Sequence, residues 1–409
     1  MIPKAFDQIE KADIQALIDN QIPEGKTLDY KRDLPGNTKD TKKEFLADII
    51  SFANAAGGDI IYGVDEQRDE DGKSTGIPEN VVGLGRINAD SEILRLSNII
   101  NSTIEPQIPG IRIKAIQGFQ NGSVIIIRIP QSWMGPHLVR SGGGTYRIFT
   151  RDSMGKRPVD VPGLRSLFVA SENLSQRIQE IRDERLGKIV AGETPVPLPD
   201  RAKVVLHIIS VNHIMSGNWI DPRIVKSTLT NGLTILGGSG IPTGRMNLDG
   251  YLGYYGNHSK GKFEVIGYTQ IFRDGYIEAV NIDLVESLYR EKLIAISLLE
   301  QAIIRQGNEY LNIFHRLGVD PPFLLFLNLL GVKDFLIPPP SRIRYTELQS
   351  NRWRIDRDYL LLPELLIEHY PKSHEELAGI LQGTFDVLWQ ASGYDKSLSY
   401  DEEGNWKKS

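Results

Sequence analysis

The stretch Ser51-Phe-Ala-Asn-Ala-Ala-Gly-Gly58, followed at once by Asp59-Ile-Ile-Tyr-Gly-Val64, decides the fold of the N-terminal part of this chain. Apolar residues recur at helical spacing from Phe45 onward, which predicts a helix that ends near Ala55. The two glycines then end the helix, because glycine readily adopts the left-handed conformation that follows helix C-termini. Residues 59–64 are a short apolar run, which is typical of a buried strand. A helix that leads directly into a buried strand predicts an α/β domain.

The sequence on both sides of this stretch predicts more elements of the same domain. Periodicity and turn signals indicate a short helix over residues 8–20, a strand at Thr27–Lys31, a helix at Ser91–Ile104, a hairpin of Arg112–Ile116 with Val124–Ile129, a strand at Thr145–Thr150 and a helix at Pro162–Arg185. We therefore predict an α/β N-terminal domain, a mixed sheet with helices, over residues 1–190.

A proline-rich segment, Gly192-Glu-Thr-Pro-Val-Pro-Leu-Pro199, follows this domain. Such a segment cannot continue a helix, so we predict a linker over residues 191–202. The remainder, residues 203–409, contains strand-like runs and a strongly amphipathic stretch at Leu284–Ile304. We predict an α+β, mainly helical C-terminal domain there, with a role in sensing, substrate binding or dimerisation.

Composition excludes several classes of protein. Of the 409 residues, 40% are hydrophobic and 24% are charged, as in ordinary globular proteins. No run approaches the ~20 apolar residues of a membrane span, and the first residues do not resemble a signal peptide. We therefore expect a cytoplasmic protein without a membrane partner. The chain has no cysteine, which excludes disulfides and cysteine-ligated zinc.

Two carboxylates and a lysine lie close together in Glu24-Gly-Lys-Thr-Leu-Asp29-Tyr-Lys31. Asp29 and Lys31 are two positions apart on the predicted strand, so both side chains point to one face. Pro23 and Gly25 favour a bend that would let Glu24 return toward the strand. The structural interpretation is a surface lattice of salt bridges. The functional interpretation is a site where carboxylates and a lysine act on a phosphodiester.

Three motifs in this order resemble the Schlafen-type AlbA-like domain. They are the Glu24–Lys31 segment, the Phe-Ala-Asn-x-x-Gly-Gly segment that ends at Gly58, and Gly63-Val-Asp65. The segment from Gly144 to Ser153 is also similar to a downstream strand of that family. The resemblance covers roughly residues 10–170. It implies a domain that binds nucleic acid and, in some members, cleaves RNA with a divalent metal ion.

In the nuclease members of the family, three acids hold that ion. The resemblance places the first two at Glu24 and Asp29. The third follows the Gly-Val strand, where Asp65 and Glu66 adjoin, and only one of them can face the cluster because neighbouring strand residues point opposite ways. Lys31 would stabilise charge on the phosphate. We expect Mg²⁺ or Mn²⁺, which prefer oxygen ligands, and no zinc site.

The resemblance implies a divalent-metal-dependent endoribonuclease that cleaves structured RNA such as tRNA, in bacterial stress or anti-phage defence. The alternatives are a non-catalytic DNA- or RNA-binding transcriptional regulator and an interaction scaffold that meets a protein trigger through its C-terminal domain. A homodimer is expected, because family members often pair around nucleic acid. No Gly-x-x-x-x-Gly-Lys-Ser/Thr motif occurs, so the sequence supports no ATP site.

Basic residues are concentrated near these motifs although the net charge is −5. Residues 136–158 contain five basic side chains against one acid, a pattern that could track phosphates or simply decorate a solvated strand edge. The candidates for phosphate contact are Lys26, Arg32, Arg140, Arg147, Arg151, Lys156 and Arg157. Asn54, near the end of the predicted helix, is expected to cap that helix locally rather than to contact a substrate.

Overall fold

The computed structural model describes residues 1–141, 145–217, 219–238, 240–259, 262–285, 292–338 and 354–407. The chain divides into two compact units, Met1–Arg177 and Ile178–Ser409. The predicted linker over residues 191–202 and the predicted boundary near residue 190 therefore fall within the second unit. Each unit has its own sheet and its own hydrophobic core.

The N-terminal unit is built on a four-stranded sheet. Its strands are ordered β1 (Leu28–Lys31), β2 (Gly58–Tyr62), β7 (Gly122–Ile129) and β6 (Arg112–Phe119). The pair of β1 and β2 is parallel, whereas the other two pairs are antiparallel. The sheet is therefore mixed, and the predicted α/β class is confirmed.

Helices cover both faces of this sheet. On the face that carries Ile60 lie α2 (Lys39–Ala53) and α3 (Ala89–Thr103). The opposite face, which carries Ile61, is covered by α1 (Lys11–Asp19). Burial on both faces explains why β2 is a continuous apolar run rather than an alternating one.

The chain reverses tightly between α2 and β2 at Gly57. This glycine has a φ of 67°, and a Cβ placed there would lie 2.5 Å from the backbone nitrogen of Gln131. Any other residue would suffer both a strained backbone and a clash. The glycine therefore makes the reversal into β2, but the prediction that the two glycines end the helix is wrong, because α2 ends at Ala53 and Asn54 is its C-cap.

Short strands complete the N-terminal unit. They form three small sheets: β3 (Val64–Arg68) with β4 (Ser74–Val81), β8 (Leu138–Ser141) between β5 (Ile104–Glu105) and β9 (Thr145–Arg147), and β10 (Phe149–Asp152) with β11 (Gly155–Pro158). The predicted single strand over residues 145–150 is thus two strands in different sheets. Gly144, the first residue of its motif, lies outside the described residues. The next element, α4 (Val161–Val190), contains the division between the two units.

The C-terminal unit is built on an eight-stranded sheet, and its predicted α+β class is confirmed. The order across the sheet is β13 (Thr243–Met246), β14 (Gly250–Ser259), β15 (Lys262–Phe272), β16 (Tyr276–Asn281), β12 (Lys203–Ser210), β17 (Phe323–Leu330) and β18 (Tyr359–Leu361), and β19 (Leu365–Ile367) also pairs with β17. In the described part of this unit, the helices beyond α4 are α5 (Val211–Ser216), α6 (Pro222–Thr228), α7 (Ile296–Arg316) and α8 (His374–Gln390).

One element of this unit differs from the sequence-based expectation. The predicted helix over residues 284–304 is wrong at its start, because α7 begins only at Ile296 and a short 3-10 helix occupies Asp283–Val285. Residues 286–291 lie outside the described part. The apolar run at Phe323–Leu330 is a fully buried strand. In the described ranges, no helix has the length and apolar character needed to cross a membrane.

Candidate nucleic-acid site

The site begins on β1, where alternate residues point to opposite faces. Tyr30 is fully buried in the core on the α1 side. Asp29 and Lys31 point the other way, and Nζ of Lys31 lies 2.6 Å from Oδ2 of Asp29. The Asp29 side chain is only 4% exposed, whereas that of Lys31 is 36% exposed. The lysine therefore reaches from a buried carboxylate to solvent.

Glu24 does return to the strand, through a turn that β4 holds in place. Its backbone nitrogen donates to the carbonyl oxygen of Gly76 at 2.7 Å. The backbone nitrogen of Tyr30 donates to Oε1 of Glu24 at 2.6 Å. Burial, the charge of Asp29 and a hydrogen bond with Asp29 together raise the pKa of Glu24 to about 8. The two carboxyl groups are therefore close enough for their charges to interact.

Arg151, on β10, holds the other side of Asp29. Its Nη2 lies 2.7 Å from Oδ1 of Asp29, its Nε donates to the carbonyl oxygen of Gly25, and its guanidinium lies 4.2 Å from the ring centre of Phe52. Burial alone would raise the pKa of Asp29, but the charges of Lys31 and Arg151 outweigh burial and lower that pKa. Arg151 was a predicted phosphate contact, yet the structure buries it on Asp29.

The two candidates for the third acid have different surroundings. Asp65 forms an ion pair with Arg32. Glu66 accepts hydrogen bonds from the hydroxyl of Ser74 and, at 3.1 Å, from the backbone nitrogen of Gly76. Burial raises the pKa of Glu66, Lys31 lowers it, and the charges of Asp29 and Asp65 raise it further. Glu66 is therefore close enough to interact electrostatically with Asp29 and Lys31.

A second buried ion pair joins Asp48 on α2 to Lys156 on β11, and it was not predicted from the sequence. Nζ of Lys156 is 2.8 Å from Oδ1 of Asp48 and 2.5 Å from Oε1 of Glu44. Burial raises the pKa of Asp48, while Lys156 lowers it and Asp29 raises it. The sequence signal that could have found this pair is Asp48 itself, a carboxylate within the apolar run of α2. Every residue from Phe45 to Ala53 is buried, so this carboxylate needs a partner.

The remaining candidate phosphate contacts are exposed side chains: Lys26, Arg32, Arg140, Arg147 and Arg157. Some of them already have acidic neighbours. Nε of Arg157 is 3.0 Å from Oδ2 of Asp152, and Nη1 of Arg140 is 3.8 Å from Oε1 of Glu105. Exposed pairs of this kind contribute little to stability, so a nucleic-acid phosphate could replace the acid. Arg151 and Lys156 are held by buried acids and differ from this set.

Asn54 is the C-cap residue of α2, as expected, but its side chain makes long-range contacts instead of local ones. Its Nδ2 donates to the carbonyl oxygens of His137 and Phe149, at 2.8 and 2.9 Å. Its Oδ1 accepts from the backbone nitrogen of His137 at 2.7 Å. Because Phe149 begins β10, Asn54 fixes the strand that carries Arg151. The residue thereby connects the end of α2 to the acidic cluster.

The acidic cluster offers few carboxylates to a metal ion. Among the described residues, no group of three or more histidines, aspartates or glutamates is arranged to hold a metal ion. Two carboxyl groups, those of Glu24 and Asp29, do lie close enough for their charges to interact. Mg²⁺ is commonly bound by one or two carboxylates, with substrate phosphate and water as the other ligands. The pair therefore fits that kind of site and not a cage of three acids.

Comparisons with known proteins follow the same division of the chain. Residues 24–160 match the family described as Schlafen, AlbA_2. No curated protein matches the sequence. The solved structures with similarity include the N-terminal domain of a putative ATP-dependent DNA helicase RecG-related protein from Nitrosomonas europaea, with 20% identity, coverage of 31% of this chain and 80% of that one, and a TM-score of 0.24.

The DIP2311 protein from Corynebacterium diphtheriae is similar at 16% identity, with coverage of 36% of this chain and 30% of that one and a TM-score of 0.24. The family match includes Glu24, the Phe-Ala-Asn-x-x-Gly-Gly segment and Asp65. The resemblance inferred from the sequence is thus confirmed. Residues 24–160 match the Schlafen, AlbA_2 family, and this match indicates a nucleic-acid-related function for that part of the chain.

Proposed function

We propose that the chain is a divalent-metal-dependent endoribonuclease that cleaves structured RNA such as tRNA, in the cytoplasm, as part of bacterial stress or anti-phage defence. The observation that carries this proposal is the return of Glu24 to β1, where its Oε1 accepts from the backbone nitrogen of Tyr30 next to the ion pair of Asp29 with Lys31. Carboxyl groups forced together away from water are costly to a fold. Groups perturbed in this way concentrate at functional sites.

The residues of the cluster have separable roles in this proposal. Arg151 fixes one oxygen of Asp29, which orients the other oxygen toward Lys31. The partly exposed Lys31 would donate to a phosphate oxygen and stabilise its charge. Glu24 and Asp29 would hold Mg²⁺ or Mn²⁺ as its two carboxylate ligands. Of the two neighbouring acids, Glu66 and not Asp65 would add its charge from outside the ligand set, because Asp65 is paired with Arg32. Such an ion supplies charge stabilisation to a phosphodiester.

The exposed basic side chains would bind the nucleic-acid backbone. Lys26 and Arg32 flank the segment that carries Asp29 and Lys31, so phosphates bound by them would lie near the cluster. Phosphate contacts of this kind make affinity fall steeply with salt. A homodimer and a protein trigger acting through the C-terminal unit belong to the same proposal, and light scattering of the purified chain measures the first directly.

A second candidate function is a non-catalytic DNA- or RNA-binding regulator or scaffold. The observation that favours it is the pairing of Asp29 with two cations, Lys31 and Arg151. A carboxylate that is already neutralised has less affinity for a metal ion. In that case the cluster would stabilise the domain, and only the exposed basic residues would contact nucleic acid.

The experiment incubates the full chain with tRNA and Mn²⁺, with and without EDTA. We expect fragments that EDTA abolishes, and a loss of rate of about 100-fold or more in Glu24→Gln and in Lys31→Met. RNA binding, measured in EDTA, should stay within about threefold. Glu79→Gln, at an exposed acid on β4, is the matched control and should cleave normally.

The other outcomes separate the alternatives. Intact RNA under every condition, with binding retained, would favour the regulator. Cleavage that persists in EDTA would show that the metal-ion part of the proposal is wrong. A chain that neither cuts nor binds RNA or DNA, but captures a protein through residues 203–409, would favour the scaffold.

A further inference from the structure

The C-terminal unit contains a polar cavity of about 490 Å³ that is separate from the Schlafen, AlbA_2 domain. Its lining residues on α7 recur every three or four positions, so they share one face of that helix. His374, the first residue of α8, completes the wall. The α7 residues are Arg305, Asn308, Glu309, Asn312, His315 and Arg316. A cavity of this size can hold a small molecule such as a nucleotide.

The two arginines give this cavity a positive character. Arg305 and Arg316 are exposed, and neither makes an ion pair or a hydrogen bond within the described part of the chain. Elsewhere in the same unit, the exposed Arg223 and Arg357 each bind a neighbouring aspartate. A guanidinium group that lacks an acidic partner is well suited to a phosphate, which it contacts through two N–H groups at once.

The other charged and aromatic groups of the cavity have defined partners. The carboxylate of Glu309, the one acid among the lining residues, accepts a hydrogen bond of 2.9 Å from the hydroxyl of Thr234. The His315 ring packs 4.6 Å from the ring of Tyr370. Just outside the lining, Glu376 accepts hydrogen bonds from the backbone of Lys372 and the ring of His369. Positive charge therefore predominates in the cavity.

The size and polarity of the cavity indicate an extended ligand. Arg305 and Arg316 are separated by about 16 Å along the helix axis, at 1.5 Å per residue, so a lone phosphate would not need both. Asn308, Glu309 and Asn312 lie between the two arginines and also line the cavity. A ligand that extends from one arginine to the other would therefore meet polar side chains along its length.

We propose that this cavity binds a phosphorylated small molecule of nucleotide size, with Arg305 and Arg316 on its phosphates. The site uses side chains on a helix face and needs no P-loop, consistent with the absence of that motif from the sequence. The proposal does not depend on the proposed ribonuclease activity, because the two sites lie in different units.

The experiment measures binding of ATP, AMP, adenosine and inorganic phosphate to the full chain by calorimetry. We expect ATP to bind more tightly than AMP, AMP more tightly than inorganic phosphate, and adenosine not at all. Arg305→Gln and Arg316→Gln should each weaken ATP binding by about tenfold or more. Glu309→Gln keeps an acceptor for Thr234 but removes a negative charge, so it should tighten binding severalfold. Arg357→Gln is the control and should change nothing.

Several results would overturn the proposal. These are no heat of binding with millimolar ATP, affinity that neither arginine substitution alters, or adenosine that binds as tightly as ATP. Binding of a 5′-phosphorylated RNA through these arginines without binding of ATP would also refute it. Thermal unfolding of each variant is the control for folding. Because both arginines are exposed, we expect neither substitution to change the unfolding temperature appreciably.

Discussion

The buried carboxylate of Asp29 interacts with three charged side chains around it. Its Oδ2 forms an ion pair with Lys31 and its Oδ1 forms one with Arg151. The charge of the same carboxyl group also interacts with Glu24. The pairing of Asp29 with Lys31 was predictable, because strand alternation places both side chains on one face. Arg151 was not assigned this role, since it is separated from Asp29 by 122 positions and only the fold brings the two together.

Removal of the Arg151 guanidinium should therefore destabilise the N-terminal unit. Arg151→Met keeps a long apolar chain over Phe52 but leaves Asp29 with a single cation. Loss of one partner from a buried ion pair costs about 3 kcal/mol or more, which urea unfolding will measure. Arg157→Met, at an exposed arginine of β11, is the control and should change the free energy of unfolding by less than about 0.5 kcal/mol. Equal effects would show that Arg151 is not a buried anchor.

At the scale of elements, the end of α2 and the strand β10 depend on one amide. Asn54 makes one hydrogen bond that joins them, from its Nδ2 to the carbonyl oxygen of Phe149, and two more with the backbone of His137, just before β8. Asn54→Ala should destabilise the unit by about 2 kcal/mol, because buried backbone groups lose their partners. The rate of hydrogen exchange should increase more in Phe149–Asp152 than in β2. Asn101→Ala, on the exposed surface of α3, is the control, and unchanged exchange in β10 would contradict this role.

In the C-terminal unit, β16 contributes a buried carboxylate that receives four hydrogen bonds. Glu278 binds Nε and Nη2 of Arg185, on α4, as well as the His207 ring and the Tyr268 hydroxyl. Burial would raise the pKa of Glu278, but the hydrogen bonds from Arg185 and His207 and their charges outweigh burial and lower that pKa from 4.5 to about 2. A depressed pKa stabilises the fold above pH 4.5, and the contribution is lost as pH falls toward 2.

The expected loss between pH 4.5 and pH 2 is about 3 kcal/mol, at 1.36 kcal/mol for each pKa unit. Glu278→Gln should remove this part of the acid dependence and should also be less stable at pH 7, because Arg185 then lacks a charged partner. Acid titration of the unfolding free energy tests both expectations. Glu264→Gln, at a more exposed acid of β15, should leave the acid dependence unchanged. An unaltered pH profile in Glu278→Gln would refute the assignment.

For the whole molecule, local pattern predicted the elements better than it predicted their partners. The hairpin around Gly122 was predictable because Asn-Gly is a common turn, and the three motifs identified the domain family. The strand at Phe323–Leu330 was not predictable, since a continuous apolar run has no periodicity that distinguishes a strand from a helix. Asp48 and Asn54 were missed as site residues because their partners lie far along the chain.

The two cores of the molecule should also be visible in its unfolding. Ile127 is fully buried in the N-terminal core, and Leu327 is fully buried in the C-terminal core. Because each unit has its own core, calorimetry of the full chain should show two transitions. Replacement of a buried Ile or Leu by Ala costs about 2–5 kcal/mol. Ile127→Ala should therefore lower one transition temperature, and Leu327→Ala should lower the other.

The assignment of each transition follows from a ligand test on the same samples. Tightly bound RNA stabilises only the unit that binds it. RNA should therefore raise the transition that Ile127→Ala lowers, since that unit contains the Schlafen, AlbA_2 domain. Leu361→Ala, at an exposed residue of β18 that is 49% accessible, is the control and should shift neither transition appreciably. A single transition that both core substitutions lower equally would show that the two cores unfold as one cooperative body.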